Sequence, residues 1–208
     1  LACLFIDSTY DITLGILDDE LGWIKFQRFF NQKASAIIQK ETYQLLQEAK
    51  LSMKDMQQVI TIAGPGFYTG LRLSEGFADV MTFMEARHLN FMSYEIPSLT
   101  GISEGTWMTK AYRGEYFFHR WNSSQKENKL VAAKELESYL AGVDKSSFYI
   151  HSQSAIDELS KSFLQQWKTT SELLEKEPKK IFTNILKSSQ KLESYYFRAP
   201  EDEFKVSL

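Results

Sequence analysis

The sequence predicts an α/β protein of two lobes, each a mixed sheet flanked by helices, and three observations carry that prediction. The first thirty residues alternate apolar and polar side chains in short runs, "LFID", "ITLGIL" and "WIKFQRFF", with "DDELG" as the turn between the last two. An amphipathic helix, an apolar strand, a glycine-rich turn and a second helix then follow, the order of an α/β unit. A break at Pro97, continued by "SLTGISEGT", separates this half from a second series of strands and helices. The lobes are set at 1–97, carrying the glycine turn, and 98–208, smaller, with a C-terminal segment free to pack back on the first.

Taken in order, the opening runs read as an antiparallel meander. Residues Ala34 to Lys50 place Ile37, Ile38, Leu45 and Leu46 at near-helical spacing, so one helix face is apolar. "LSMKDM" puts Ser52 and Asp55 ahead of the strand "QVITIA", whose β-branched residues on both faces point to a strand covered by helices. A helix from Leu71 to about Arg87 and a short strand, "NFMSYE", complete the first half. The second half reads as strand "AYRGEYFFHRW", polar loop "NSSQKEN", a helix around Ala132 to Leu140 and strand "FYIHS". Helices near Ala155 to Trp167 and Pro178 to Leu192 precede "YYFRAP", and the final "EDEFKVSL" is expected to be loose. No internal repeat or low-complexity tract is visible.

Composition narrows the function classes. Of 208 residues, 43% are hydrophobic, 14% aromatic and 25% charged, the profile of a folded chain. A net charge of -3 excludes a general attraction to nucleic acid or an anionic bilayer, so any nucleic-acid contact has to be local. Cys3 is the only cysteine, which excludes a disulfide framework and a thiolate metal cluster and fits a cytoplasmic context. No apolar run approaches the ~20 residues of a membrane span. "LACLFI" is too short, and lacks the basic start, for a signal peptide. The chain begins without Met, as expected of a start trimmed by a residue or so.

The stretch "TIAGPGFYTGLR", Thr61 to Arg72, packs Gly64, Pro65, Gly66 and Gly70 between a strand and a helix. Such a turn brings unpartnered backbone N–H groups at a helix start close to an anion, and Arg72 would add a forked donor. The plainer alternative is a tight strand-to-helix turn with Thr69 as the helix cap. No Gly-Lys-Ser/Thr follows, so this is not a Walker A loop. Gly64 and Gly66 begin a G-x-G-x-x-G, but Thr69 stands at its third position; Glu95 would be the ribose-binding acid of that arrangement. At the N-terminus, "FIDSTYDITLGIL" puts Asp7 at a strand end ahead of Ser8 and Thr9. That resembles the first phosphate hairpin of the actin, Hsp70 and sugar-kinase superfamily, in which the aspartate helps hold hydrated Mg²⁺; Asp before Ser-Thr is also an ordinary turn.

Together, "LFIDST", "ASAIIQKETYQLLQEAKLSMKDMQQVITIAGPGFYTGLRL", "YRGEYFF" and "YYFRAP" resemble, in that order, the bacterial TsaB family, also called YeaZ. Its pattern is an I-D-T/S-S/T strand, an H-S-x-x-L-L helix, the loop G-P-G-S-F-T-G-L-R, an R-R-G-E-V-Y strand and a closing Y-L-R. The resemblance implies a two-lobe ribonuclease-H-like fold and a subunit without catalysis of its own. Such a subunit is the required partner of the TsaD threonylcarbamoyltransferase in forming N6-threonylcarbamoyladenosine at adenosine 37 of ANN-decoding tRNAs. It further implies a TsaE-like ATPase in the same assembly, a homodimer in isolation, tRNA contact only through the complex and no membrane partner. No cofactor is firmly implied, with ATP or ADP at the subunit interface as the one candidate. The chain departs from the pattern at Ala34, where the family has His, and at Phe67 and Tyr68, which replace Ser-Phe.

On the helix after the loop, Leu73, Phe77, Val80 and Met84 follow one face while Met81 and Phe83 fall away from it, more apolar surface than one buried stripe needs. Burial all round and an exposed surface for a partner helix are both open. The resemblance implies the second, through Ile37, Ile38, Leu45, Leu71, Leu73, Phe77, Val80, Met81 and Met84. It makes Asp7, Ser8, Thr9, Gly64, Pro65, Gly66, Thr69, Gly70 and Arg72 a nucleotide-binding or structural loop, and Arg113, Gly114 and Glu115 a family turn. No catalytic or metal residues are expected. His88, His119 and His151 are far apart without an H-x-x-x-H pair, and none of Ser35, Ser74 and Ser98 lies in G-x-S-x-G. The enzymatic alternative is a stand-alone ATP-dependent phosphotransferase of the same superfamily, which needs Asp7 plus a second aspartate and a second phosphate hairpin. The later half has no D-x-G turn, and "YRGEYF" also reads as a surface turn. Lysines of "EKEPKK", with Lys187 and Lys191, form a mild basic patch.

Overall fold

The structure is a computed structural model that describes residues 2–144, 147–151, 167–187 and 191–197. Its first sheet has the strand order β3-β2-β1-β4-β5. β1 (Ala2–Asp7), β2 (Ile12–Leu17) and β3 (Trp23–Phe29) form an antiparallel meander, while β4 (Met56–Gly64) runs parallel to β1, and β5 (Arg87–Met92) parallel to β4. The central strands are buried on both faces, which is why their apolar runs are nearly unbroken, whereas the half-exposed edge strand β3 mixes Lys25, Gln27 and Arg28 into its pattern. α1 (Ala34–Glu48) and α2 (Tyr68–Phe83) cover one face through Ile38, Leu45, Leu46, Ala78 and Met81, packed on Leu4, Ile6, Leu14 and Val59.

The second sheet has the order β10-β9-β6-β7-β8. It is built from β6 (Gly105–Lys110), β7 (Glu115–Trp121), β8 (Lys126–Ala132), β9 (Phe148–Ile150) and β10 (Lys168–Thr169). β6, β7 and β8 are antiparallel, and β9 and then β10 join β6 in parallel. Strand for strand this repeats the first sheet: a three-stranded meander, then two parallel strands beside its first member. The repeat that sequence inspection misses is therefore one of topology. The two-lobe ribonuclease-H-like α/β fold follows from these mixed sheets and their flanking helices.

Several elements differ from expectation. β6 falls in a run read as a glycine-rich break, because Thr106 and Thr109 hide a strand that is buried on both faces. β8 falls partly in the "polar loop"; it is a solvated edge strand and carries no apolar alternation. The expected strand "AYRGEYFFHRW" begins only at Glu115, after a turn over Tyr112–Gly114. α2 starts three residues early and ends at Phe83, so β5 begins at Arg87, and a turn takes up Ser93–Glu95. The helix expected around Ala132 is α4 (Leu136–Ala141), and a short α3 (Ile96–Leu99) spans the Pro97 boundary. The helix expected near Ala155 lies outside the described residues apart from Trp167, as does "EDEFKVSL".

The other face of the first sheet is closed from the far end of the sequence. α5 (Thr170–Lys176) and α6 (Pro178–Lys187) bring Leu174, Ile181, Phe182 and Ile185 onto Phe5, Ile60, Ile62, Leu89 and Phe91. Phe182 meets Phe5 and Trp23 edge-on at 5.4 Å each, and the Trp23 indole N–H donates to the Leu174 carbonyl at 2.8 Å.

Candidate functional site

The carboxyl end of β1, whose parallel neighbour is β4, meets the carboxyl end of β9 in the second lobe, the position where open α/β sheets take ligands. Asp7 closes β1 and is 3% exposed. Its Oδ1 accepts from the Thr9 N–H at 3.0 Å and the Thr9 hydroxyl at 2.7 Å, and its Oδ2 lies 3.1 Å from His151 Nε2. The same Nε2 is 2.8 Å from Thr9 Oγ1, and His151 Nδ1 is 2.8 Å from Thr170 Oγ1 at the start of α5. Burial pushes the Asp7 carboxyl up, but the charge and hydrogen bond of His151 and the two bonds from Thr9 outweigh it and hold the group below its ordinary value. The cavity beside this cluster, between Asp7, Asp11, Arg28, His151 and Ser171, measures about 10 Å³, room for a single water.

The glycine turn packs directly against the Asp7–Thr9 segment. The Ser8 hydroxyl donates to the Gly70 carbonyl at 2.8 Å, and the Phe67 N–H donates to the Thr9 carbonyl at 3.2 Å. A Cβ on Gly66 would meet Thr9 Cβ at 2.9 Å, and one on Gly70 would fall on the Ser8 carbonyl. Gly64 has φ +125°, and a Cβ there would run into the Tyr195 carbonyl. The glycines thus admit the chain's own backbone on two sides, from residues 7–9 and from residues 195–196, which also bridge to Gly66. The residue capping α2 is Phe67, without a side-chain bond, so the expectation of Thr69 as cap is corrected: Thr69 lies inside the helix and faces solvent. Arg72 points its guanidinium at Glu75 at 3.0 Å and lies over the rings of Tyr68 and Tyr196. A recess of about 330 Å³ remains between Ser8, Thr9, Lys33, Ser35 and the start of α2.

The other expected residues are scattered. Gly114, with φ +74°, and Glu115 shape the β6–β7 turn together with the backbone of Arg113, the topological counterpart of the β1–β2 connection that follows Asp7. His88 bonds Thr61 at 2.9 Å, and His119 bonds Asn128 at 2.6 Å while stacked on Tyr94 at 4.1 Å. Burial pulls both imidazoles below their usual pKa. Ser74 is buried and donates to the Leu71 carbonyl, and Ser98 donates to the Glu95 carbonyl, so neither faces a base. Among the described residues no three His, Cys, Asp or Glu side chains are grouped to hold a metal, and no helix is long and apolar enough to cross a membrane. In the basic patch, Lys180 pairs with Glu177 at 2.9 Å.

The expected interface divides. Ile38, Leu45, Leu71 and Met81 are corrected: all four are buried in the chain itself, the first two and Met81 in the cluster between helices and sheet. Ile37 and Phe77 pack partly on the same core, and Leu73 is half-buried. Val80 is 58% exposed and Met84 36%, while Phe83, placed off the apolar face by its spacing, is 91% exposed. Gly76, one turn before Val80 on the same line of α2, has open space above it. His151 and Thr170 are the residues that sequence inspection misses; a lone strand-end His forms no motif.

No family model matches the chain, and no curated protein does. Among solved structures, the chain resembles an uncharacterized protein with similarity to the peptidase YeaZ, from Pseudomonas aeruginosa, with a TM-score of 0.59, 12% identity and coverage of 93% of this chain and 95% of that one. It also aligns with YeaZ from Pseudomonas aeruginosa, with a TM-score of 0.48 and 16% identity over 63% of this chain and 64% of that one. At these identities the likeness is one of fold.

Proposed function

We propose that the chain is a non-catalytic, activating subunit that pairs through α1 and α2 with a TsaD-like catalytic subunit. In that complex, threonylcarbamoyl is transferred to adenosine 37 of ANN-decoding tRNAs. The observation that carries this reading is the outer line of α2, where Gly76, Val80 and Phe83 leave apolar surface and backbone open beside the exposed Met84. A phenyl ring 91% exposed at a helix end gains about 1.5–3 kcal/mol when a partner covers it. A glycine within a helix costs roughly 1 kcal/mol against alanine, a cost offset where a second helix approaches closely. The fold shared with the YeaZ-like structure supports the same assignment.

The proposal includes a TsaE-like ATPase in the assembly, a homodimer through the same face when the subunit is alone, and tRNA held by the complex. The proposal requires no cofactor, and the subunit boundary is the candidate place for ATP or ADP. The phosphotransferase alternative asks Asp7 to serve a metal and nucleotide, but both its oxygens are engaged by Thr9 and His151. The test is a gentle pull-down of the tagged protein from its source cells, with partners identified by mass spectrometry. Recovery of a TsaD-like protein with wild type and its loss with Phe83→Glu is the expected result. A preparation of the wild type without any such partner overturns the reading.

A further inference from the structure

We propose that Asp7, Thr9, His151 and Thr170 form a latch that holds the two lobes shut over the strand ends. The proposal rests on this chain's own contacts and stands whichever partner the α2 face takes. Four separate pieces of chain meet in it: the end of β1, the β1–β2 connection, the residue after β9, and the start of α5. All four side chains are buried, and the two contacts of His151 Nε2, with Thr9 and with Asp7, cross from the first lobe to the second. In a site with so little water, each bond is worth more than on the surface, and each loss leaves a buried polar group unpaired.

The proton inventory shows when the latch holds. Thr9 has one hydroxyl proton and donates it to Asp7 Oδ1, so toward His151 it can only accept. His151 Nε2 therefore carries a proton and shares it between Thr9 Oγ1 and Asp7 Oδ2. On the other side of the ring, the Thr170 hydroxyl can donate to a neutral Nδ1. It can equally turn toward the backbone carbonyls of Ile150 and His151, at 3.5 and 3.4 Å, and accept from a protonated one. Both charge states of the ring thus keep every partner. Protonation of Asp7 removes the charge that strengthens its bonds and sets an O–H against the Nε2–H of His151, and removal of a member leaves its buried partners unpaired.

The remaining groups around it are consistent with a closed state. Asp11, Thr13 and Arg28 line the small cavity, with Arg28 donating to Ser171 of α5 at 2.7 Å. The Trp107 ring of β6 lies 5.4 Å from the His151 ring and carries no charge. Because the Asp7 carboxyl is held below its ordinary value, the latch is intact above the usual carboxylate range and is lost as pH falls through the folded-state pKa.

The test measures the distance between lobes. Burial pushes the Cys3 thiol up to about 12, which leaves it inert to labelling near neutral pH, so spin labels go to Glu20→Cys and Ser123→Cys, one on an exposed turn of each lobe. At pH 7.5, with unlabelled protein in excess to suppress contributions between molecules, the wild type is expected to give one narrow distance distribution. His151→Leu or Asp7→Asn should shift it to longer, broader distances with far-UV circular dichroism unchanged. An unmoved distribution in either folded variant overturns the latch. Should both variants fail to fold, acidification of the labelled wild type decides. Lengthening before the circular dichroism changes supports the latch, and unfolding without prior lengthening overturns it.

Discussion

Gly70 and Gly76 lie six residues apart in one helix, and a single added methyl should act on them with opposite sign. At Gly70 a Cβ would fall on the Ser8 carbonyl, a backbone atom that cannot move without parting the glycine turn from the Asp7–Thr9 segment. Gly70→Ala is expected to cost about 3 kcal/mol, the upper end of overpacking penalties. At Gly76 nothing lies within 4 Å, so Gly76→Ala should stabilise by roughly 0.5–1 kcal/mol through lower unfolded-state entropy. Urea titration of the two variants reads both numbers, and equal signs would refute the packing argument. The sequence shows that this turn needs glycine but not why, because the atoms that crowd it come from residues 8, 9 and 195. His151 is hidden for the same reason: its bond to Thr9 spans 142 positions.

On α2 the apolar spacing predicts a helix with surplus hydrophobic surface, and the structure assigns that surplus differently. Met81 is wholly buried between helix and sheet, while Phe83 stands in solvent. Met81→Glu should bury an unpaired carboxylate and abolish cooperative thermal unfolding. Phe83→Glu should leave stability within about 0.5 kcal/mol and weaken self-association and partner binding. Melting curves with sedimentation of both variants check the contrast; retained association in Phe83→Glu would take the α2 end out of the interface. Strands were legible where both neighbours and both faces demanded apolar residues, as in β1, β2 and β4. β8 escaped because an edge strand facing water obeys no such demand, and β6 because two buried threonines broke its apolar run. The first of these losses is inherent to periodicity, which reports burial before it reports hydrogen bonding.

At the scale of the molecule, a boundary near Pro97 divides the sheets but not the cores. Phe5, Ile60, Leu89 and Phe91 of the first sheet are covered by Leu174, Ile181, Phe182 and Ile185, which come from beyond the second sheet. Four such side chains at ~1.5–3 kcal/mol each contribute about 6–12 kcal/mol. That equals the whole stability of an ordinary domain, roughly 5–15 kcal/mol, so the first lobe cannot afford to lose them. A fragment of residues 1–97 is therefore expected to keep some helix and strand signal yet show no cooperative unfolding, and to aggregate through the bare sheet face. Adding the fragment 98–208 should restore solubility and a cooperative melt, since it carries the missing layer. A soluble, cooperatively melting 1–97 monomer would show instead that α5 and α6 only cover a core that is complete without them. The topological repeat of the two sheets makes this outcome informative: two similar halves need not be two independent folding units when the end of one chain segment closes the core of the other.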